Sequence, residues 1–428
     1  MQRHDLSTLP TGERVITEHV PNVRSVSFGF WIGTGSRDET DARAGVSHFI
    51  EHLLFKGTSS HSAQEIAEIF DGLGGELNAA TSRETTLVYA RVPDDRLEPA
   101  LDVMAGMVYE PAFAEIDSER DVVLEEIAMV DDNPQDLVHD VVAEAVFGGH
   151  PIGRPVIGRA DVISSVSRKA LTAYHRAAYA ADNIVVAAAG NVTHDRVVEL
   201  LSARLPATQS NARRARKPFG RVPPPGYRFQ RKATEQYHVC LGAPGISRRD
   251  ERRFAASLLD SILGGSASSR LFQEIREKRG MAYSVYSFAS QYSDSGQLGL
   301  YVGTREENLV ECFEIVAREL ADVAAGNVRP GELERAQENL KGRMLLSLES
   351  TSNRMSRLGK SLITDTDLLT LDELVARVEA VTSDDVAELA ADLLQLDRLS
   401  AAGIGPSESH FRAAIERVNP ALVERAAA

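Results

Sequence analysis

The stretch VSFGFWIGTGSRDE at residues 26–39 has a counterpart in HVCLGAPGISRRDE at residues 238–251. Each begins with β-forming residues, ends in a polar turn and is followed by apolar residues at helical spacing, VSHFIEHLL in one case and AASLLDSIL in the other. A second pair of similar segments, LVYARVPDDRLEPALDVM and LGLYVGTREENLVECFEI, lies at residues 87–104 and 298–315. The sequence therefore predicts an internal duplication.

The duplication predicts an α+β fold with two domains of about 200 residues each, which is a usual domain size. Residues 1–210 form the first predicted domain and residues 228–428 form the second. Residues 206–227 between them are rich in arginine and proline and lack periodic apolar residues, so we place a linker at 211–227. We interpret its arginines as solvent-exposed in preference to a binding patch.

The composition is typical of a globular protein, with 43% hydrophobic and 25% charged residues. A formal net charge of −15 argues against a general affinity for nucleic acid or anionic membranes, both of which need a basic face. The sequence shows neither an apolar run of about 18 residues nor a secretory signal pattern, so we expect a cytoplasmic protein. The two cysteines, Cys240 and Cys312, are predicted to be ordinary buried residues in a reducing compartment.

The predicted helix at residues 44–55 carries the motif His48-x-x-Glu51-His52. Two histidines four residues apart lie on one helical face, where their imidazoles can bind one zinc ion. Glu51 lies on the same side and can act on a water molecule without binding the metal, as in the H-x-x-E-H signature of zinc hydrolases. The alternative is an amphipathic helix that carries these residues by chance. The other histidines lack ligand spacing, and we interpret them as surface or core residues, including His61, His139 and His150.

A zinc hydrolase needs a third protein ligand and an open fourth position. The predicted helix at residues 117–130 contains Glu119 and Glu126, which are seven residues apart and share a face. We assign Glu126 as the third ligand and Glu119 as a carboxylate that orients a histidine or holds Glu126. Glu125 is interpreted as a solvent-exposed charge, which is the more common role of helix carboxylates.

The second half of the chain lacks these ligands. Aligning the Glu-Arg pairs of the two halves places Lys341 opposite Glu126, and the helix opposite the histidines carries serines near Asp260. We therefore expect one Zn²⁺ ion per chain, bound by the first half.

Four further segments agree in order and spacing: AGVSHFIEHLLFKGT, GGELNAATSRETTLVY, ERDVVLEEI and SRLFQEIREKRGMAYSVYS. Together they resemble the pitrilysin family of zinc peptidases, and most of all its mitochondrial-processing-peptidase-like branch, over nearly the whole chain. The resemblance implies a bacterial-type member with a chain of single length. It also implies two duplicated domains, each a mostly antiparallel sheet covered by helices, that face each other across a cavity. In this family the glutamate that matches Glu126 completes the zinc site, which supports Glu126 over Glu125.

The resemblance also implies further site residues. The family's substrate lies as an added strand along a sheet edge, here at residues 74–80, where Asn78 contacts the peptide and Ala79 offers backbone groups. A Gly-Gly turn before a strand is the plain structural interpretation of the same segment. Arg276 and Tyr283 match residues that hydrogen-bond the developing oxyanion.

The expected function is that of a zinc-dependent endopeptidase that cleaves unfolded peptides or protein segments inside an enclosed chamber. Glu51 is expected to be the general base on the water that zinc activates. A role in processing targeting sequences and a role in peptide clearance are both compatible with the sequence. A chain of this length resembles family members that close the chamber with two chains, so we expect a homodimer, or a heterodimer in which this is the metal-bearing subunit.

Two other classes of protein compete with this interpretation. A structural or assembly subunit of a larger complex would share the fold with little peptidase activity, but such proteins typically lose the metal ligands that this sequence keeps. A metal-binding protein without peptidase activity would not need Asn78, Arg276 or Tyr283.

Overall fold

The computed structural model describes residues 4–205 and 216–427. The strands are β1 (His4–Thr8), β2 (Arg14–His19), β3 (Ser25–Ile32), β4 (Glu76–Thr81), β5 (Thr86–Pro93), β6 (Ile184–Gly190), β7 (Tyr227–Arg231), β8 (Tyr237–Gly245), β9 (Ala282–Gln291), β10 (Gly296–Thr304) and β11 (Ser400–Gly405). The helices are α1 (Val46–Leu54), α2 (Ala63–Leu73), α3 (Leu97–Tyr109), α4 (Ile116–Asp132), α5 (Pro134–Phe147), α6 (Ala160–Ser165), α7 (Arg168–Ala178), α8 (His194–Arg204), α9 (Arg253–Leu263), α10 (Glu306–Ala324), α11 (Glu332–Ser347), α12 (Thr351–Ile363), α13 (Leu371–Glu379), α14 (Ser383–Leu393), α15 (Glu408–Glu416) and α16 (Pro420–Ala427).

The first sheet contains β1 to β6 in the order β1-β2-β6-β3-β5-β4. Its neighbouring strands are antiparallel, apart from β2 and β6, which run parallel. Strand β3 is buried along nearly its whole length because both of its faces are covered: Phe28 and Phe30 point into one core, and Trp31 points into another. Strand β4 lies at the sheet edge and pairs with β5 on one side.

The second sheet contains β7 to β11 in the order β7-β11-β8-β10-β9. Apart from β7 and β11, which run parallel, its neighbouring strands are antiparallel. This order repeats the order β2-β6-β3-β5-β4 of the first sheet, with β8 in the place of β3 and α9 in the place of α1. The predicted duplication and the α+β fold with two mostly antiparallel sheets are therefore confirmed.

The two compact units of the chain are not its two contiguous halves. The first unit comprises the described parts of Met1–Ala128, Arg154–Lys217 and Met344–Leu371, and the second comprises those of Met129–Gly153, Pro218–Arg343 and Asp372–Ala428. The predicted domain boundaries, 1–210 and 228–428, do not coincide with these units.

The difference arises because each sheet takes a covering helix from the other half of the sequence. In the first unit α12 packs against β3 and β6, with Met355 and Leu358 in one apolar cluster with Trp31. In the second unit α5 packs against β8 and β11 through Val138 and Val142. A sheet with two apolar faces must be covered on both faces. One face of each sheet is covered by a helix that is distant in sequence from the strands it contacts.

The predicted linker at 211–227 is described from residue 216 onward, and residues 211–215 lie outside the described part of the chain. Residues 216–226 form neither helix nor strand, as expected. The interpretation of the linker arginines as solvent-exposed is wrong for Arg216, whose side chain is 13% exposed. Its guanidinium donates hydrogen bonds to Asp38 and to the carbonyl oxygen of Gly33, so this arginine is anchored on the first unit.

Both cysteines are free and buried, Cys240 in the second sheet and Cys312 in α10, which confirms their predicted burial. None of the helices in the described ranges combines the length and the apolar character needed to cross a membrane.

Candidate metal centre

Helix α1 presents two histidines because its apolar residues face the opposite way. Phe49, Ile50 and Leu53 are fully buried in the core of the first unit. The helical period then leaves the side chains of His48 and His52 on the other side, where they are 12% and 23% exposed.

A buried carboxylate holds the start of α1. Glu39 accepts hydrogen bonds from the backbone N–H of Gly45, at 2.8 Å, and of Ser47, at 2.6 Å. Burial raises the pKa of the Glu39 carboxyl to about 7, although these two bonds act in the opposite direction. Gly45 adopts a φ of +97°, which favours glycine, and a Cβ there would lie 2.7 Å from the carbonyl oxygen of Ile157. These contacts fix the position of the helix one turn before His48.

Helix α4 brings Glu126 to the two histidines. Oε2 of Glu126 lies 3.6 Å from Nε2 of His48 and 3.3 Å from Nε2 of His52. Within residues 4–205 and 216–427, these side chains are the one set of three or more from His, Cys, Asp and Glu whose ligand atoms all lie within 4.8 Å of one another. The structure thus brings the three predicted ligands together, while the neighbouring Glu125 is exposed.

Of the two roles expected for Glu119, orienting a histidine or holding Glu126, the structure shows a contact with a histidine, His52. Oε1 of Glu119 lies 2.9 Å from Nδ1 of His52, and the Glu119 side chain is 6% exposed. Since Nδ1 of His52 donates to this carboxylate, the lone pair of Nε2 is directed towards Glu126 and is free for a metal. The other carboxylate oxygen, Oε2, accepts from the Lys56 ammonium at 2.6 Å.

Sequence reasoning missed Lys56. It lies two residues beyond the end of α1 at Leu54 and outside the helix predicted at 44–55, so helical periodicity gives no signal for it. Without the position of Glu119, a lysine after a helix is typical of a solvent-exposed charge. The ion pair of Lys56 with Glu119 compensates the negative charge of this carboxylate, which is buried beside the metal ligands.

The protonation states in the cluster follow from burial. Burial, together with the neighbouring His52, lowers the pKa of His48 to about 4, so this imidazole is neutral at pH 7 and able to act as a ligand. Burial also raises the pKa of the Glu51 carboxyl, while Thr81 and His52 oppose the shift. A base with a raised pKa holds an abstracted proton better than an ordinary carboxylate does. Thr81, from β4, is a second neighbour that sequence reasoning did not identify.

The geometry of the cluster suits a tetrahedral zinc ion. Two ligand atoms at about 2.1 Å from a tetrahedral centre lie about 3.4 Å apart. The two Nε2–Oε2 distances, 3.6 and 3.3 Å, agree with that value. Two imidazole nitrogens and one carboxylate oxygen also form a donor set that zinc accepts in hydrolases, with the fourth position left open.

The equivalent positions of the second unit hold other interactions. Lys341, which aligns with Glu126, forms ion pairs with Glu338 and Glu379 at 2.6 and 2.8 Å. The Asp260 carboxylate in α9 accepts a hydrogen bond from Ser287 at 2.6 Å. The side chains at these two positions therefore make contacts within the second unit, and the absence of metal ligands from this half stays a prediction.

The predicted substrate-binding segment forms the edge of the first sheet. Strand β4 pairs with β5 in register from Glu76 opposite Arg91 to Thr81 opposite Thr86, and no strand among the described residues lies on its other side. Asn78 is exposed, and its side-chain oxygen accepts the backbone N–H of Ala79 at 2.8 Å. The edge is therefore open to an added strand, and the contact of these two residues with a peptide stays a prediction.

Arg276 and Tyr283 lie together in the second unit. Arg276 is in a π-helical turn, Phe272–Glu277, and donates to the carbonyl oxygen of Tyr283 at 3.1 Å. Its guanidinium carbon lies 4.7 Å from the ring centroid of Phe272 and 4.5 Å from that of Tyr283, which is 78% exposed. Stacking between two rings limits the rotamers of the arginine. Their role towards an oxyanion stays a prediction.

Comparison with known proteins identifies the family of the chain. Residues 14–160 match the family described as insulinase (peptidase family M16), and residues 165–340 match the family described as peptidase M16 inactive domain. The chain is 44% identical to an uncharacterised zinc protease of Streptomyces coelicolor, over 94% of this chain and 89% of that protein. It is 41% identical to an uncharacterised zinc protease of Bacillus subtilis, over 91% of this chain and 95% of that protein.

Two solved structures show the same fold. A peptidase M16 inactive domain from Pseudomonas fluorescens has a TM-score of 0.87 at 24% identity and covers 94% of this chain and 98% of its own. A protease from Helicobacter pylori has a TM-score of 0.88 at 23% identity and covers 94% and 100%. With the family matches spanning both sheets and the relatives above 40% identity, the chain belongs to the pitrilysin-type family of peptidases, family M16.

Proposed function

We propose that this protein is a zinc-dependent endopeptidase whose metal is held by His48, His52 and Glu126. The observation that carries the proposal is the convergence of these three ligand atoms beside a partly buried carboxylate, Glu51, which is not itself part of the cluster. A metal site for structure alone would need a closed set of four ligands and no such base. The names of the relatives, zinc proteases, support the same metal and the same reaction class.

Zinc, when bound, supplies Lewis-acid polarisation of the peptide carbonyl and lowers the pKa of a water molecule. In the proposed reaction Glu51 removes the proton from the attacking water and passes it to the leaving amine. Its raised pKa suits both steps, because the carboxyl must hold the proton between them. Glu119 keeps His52 in the tautomer that presents Nε2, with Lys56 balancing its charge.

The peptide is proposed to bind as an added strand along β4, with main-chain hydrogen bonds at Ala79 and a side-chain contact at Asn78. The open edge of β4 supports this part of the proposal. Arg276 and Tyr283 are proposed to hydrogen-bond the oxyanion. Such binding reads the backbone of an extended segment, so the substrates are unfolded peptides or unfolded parts of proteins, cleaved in an enclosed chamber. The homodimer or heterodimer expected from the chain length belongs to this proposal.

The decisive experiment measures zinc content and peptide cleavage on one preparation, for the wild-type chain, for Glu51→Gln and for Glu125→Gln. We expect about one zinc per chain in all three, since a single site of three ligands binds one ion. Cleavage of an unfolded peptide should be abolished by chelator and by Glu51→Gln, and retained by Glu125→Gln, which changes an exposed carboxylate on the ligand helix.

The competing classes predict different results. Bound zinc without cleavage of any unfolded peptide by the wild-type chain would favour a structural or assembly subunit. Retained cleavage in Glu51→Gln would remove the general-base role. Equal cleavage rates for a peptide and for its folded parent protein would refute the enclosed chamber.

A further inference from the structure

The strand proposed to bind the peptide depends on one hairpin for its position. β4 and β5 are joined by a turn at residues 82–85, closed by the N–H of Ser82 donating to the carbonyl oxygen of Thr85 at 2.8 Å. Because β4 is an edge strand of six residues with one partner, its order depends on the pairing with β5 and on the contacts of this turn. Whatever holds the turn therefore influences how well the peptide-binding edge is formed.

The turn is docked on the loop that follows β3. The backbone N–H of Ser36 donates to the carbonyl oxygen of Ser82, and that of Arg37 donates to the carbonyl oxygen of Arg83, at 3.2 and 2.8 Å. Arg37 also forms an ion pair of 2.7 Å with Glu84, in which both side chains are almost completely buried, at 1% and 3% exposure. The tip of the hairpin is thus held by charged groups that are withdrawn from water.

Arg216, from the segment between the two repeats, binds both the loop after β3 and the hairpin turn. Its Nε and Nη2 donate to the two carboxylate oxygens of Asp38 at 2.8 and 3.1 Å. Nη2 also donates to the carbonyl oxygen of Gly33 at 2.9 Å and to that of Glu84, in the hairpin turn itself. The next residue, Lys217, accepts a hydrogen bond from Arg37 at 3.0 Å. One linker arginine therefore joins the loop after β3 to the tip of the β4–β5 hairpin.

We propose that Arg216 is a positioning residue for peptide binding, which holds the β4–β5 hairpin in the conformation that accepts an added strand. The inference rests on the proposed function, because it takes β4 as the edge on which the peptide binds. It assigns to the basic linker a role in substrate affinity, which neither its composition nor its position between the repeats indicates. Arg216 touches no ligand of the metal cluster, so we expect zinc binding to be independent of it.

The expected effect is on affinity. When a binding-competent conformation is populated to a fraction f, the apparent Kd rises by 1/f. Arg216→Ala removes a planar donor group that makes four hydrogen bonds, two of them charge-assisted and bidentate. If the hairpin tip is then ordered about one tenth of the time, the apparent Kd for a peptide rises about tenfold. Arg216→Lys keeps the charge but not the planar, two-pronged arrangement of donors. The apparent Kd of this variant should therefore lie between those of the wild-type chain and Arg216→Ala.

The test uses the full chain with zinc, in a Glu51→Gln background, so that peptide affinity is measured without turnover. A fluorescently labelled unfolded peptide is titrated by anisotropy, and hydrogen exchange is followed in the segment 76–86. The matched control is Arg196→Ala. Arg196, on α8, also makes two ion pairs, to Glu98 and Glu199, but α8 packs against β2 at the other side of the sheet.

The inference predicts that Arg216→Ala weakens peptide binding about tenfold and speeds exchange in 76–86, while zinc content is unchanged and Arg196→Ala has neither effect. Unchanged exchange in 76–86 overturns it, because the arginine would not hold the hairpin. Faster exchange with unchanged peptide affinity also overturns it and leaves a purely structural contact. If the Glu51→Gln protein with its native Arg216 binds no unfolded peptide, the proposed function itself fails, and that result is distinct from either of the others.

Discussion

Glu119→Gln provides a sharp test of how the metal cluster is organised, because it changes a carboxylate that touches a ligand without being one. In the wild-type chain one oxygen of Glu119 accepts from His52 Nδ1 at 2.9 Å, and the other accepts from Lys56 at 2.6 Å. A glutamine has the same shape but a single acceptor oxygen. One of the two donors must therefore face an amide N–H₂ group in a site where the side chain is 6% exposed.

The two orientations of the glutamine set the range of the effect. If its oxygen faces His52, the imidazole keeps a neutral hydrogen bond in place of a charge-assisted one, and Lys56 turns towards solvent. If its N–H₂ group faces His52, Nδ1 must become the acceptor, which puts a proton on Nε2, the atom directed at Glu126. Changes of this kind lower metal affinity by about 10- to 100-fold, which is about 1.4 to 2.7 kcal/mol of binding free energy.

Zinc affinity can be measured at pH 7 by competition with a chromophoric chelator, for the wild-type chain, Glu119→Gln and Glu125→Gln. Glu125→Gln is the matched control, since it removes an exposed carboxylate from the same helix and should leave the affinity unchanged. Glu126→Gln, which removes a ligand, should weaken binding more than Glu119→Gln does. Equal zinc affinity for Glu119→Gln and the wild-type chain would refute the argument that Glu119 orients His52.

Two further predictions concern stability. Burial lowers the pKa of His175 to about 4, below its unfolded value of about 6.5. The folded state therefore binds fewer protons than the unfolded state between these values, and the free energy of unfolding of the zinc-free protein should fall as the pH falls from about 6.5 to 4, by up to about 1.4 kcal/mol per pH unit for this group. His175→Gln, which keeps a donor for the Val108 carbonyl oxygen, should reduce that slope in urea unfolding, and an unchanged slope would contradict the assignment. Arg270, 1% exposed, is bound to Glu332 and Asp322 in the second unit. Arg270→Met should cost about 3 kcal/mol because the Glu332 carboxylate, which is 10% exposed, loses its guanidinium partner. Arg252→Met, which breaks exposed pairs of the same kind, should cost about 1 kcal/mol or less in the same denaturation experiment, and similar losses for the two variants would contradict the argument.

The metal cluster was largely predictable because its information is local. The spacing of His48 and His52 decides a shared helical face, and the seven residues between Glu119 and Glu126 do the same on α4. Burial of Phe49, Ile50 and Leu53 is readable as helical periodicity, so the outward direction of the histidines follows from it. The convergence of the two helices on one point is a tertiary fact, and it entered the prediction through the resemblance to a family.

The helix boundaries illustrate the same distinction. The helices predicted at 44–55 and 117–130 are observed at Val46–Leu54 and Ile116–Asp132, because apolar period and end signals lie within each segment. No local sequence pattern indicates that α5 packs on β8 and β11, or that α12 packs on β3 and β6. An amphipathic helix shows which of its faces is apolar but does not show which sheet will cover that face.

The sequence by itself determined that the chain is a duplicated α+β protein, that the first half carries the His48-x-x-Glu51-His52 motif, and that Glu119 and Glu126 share one helical face. These properties depend on residue type and on spacings within one helix or one repeat. Only the tertiary structure decided that Lys56 neutralises Glu119, that Thr81 lies beside Glu51, and that Arg216 holds the β4–β5 hairpin. Each of these contacts joins segments that are far apart in sequence, so no helical or strand periodicity predicts it. The tertiary fold brings the segments together.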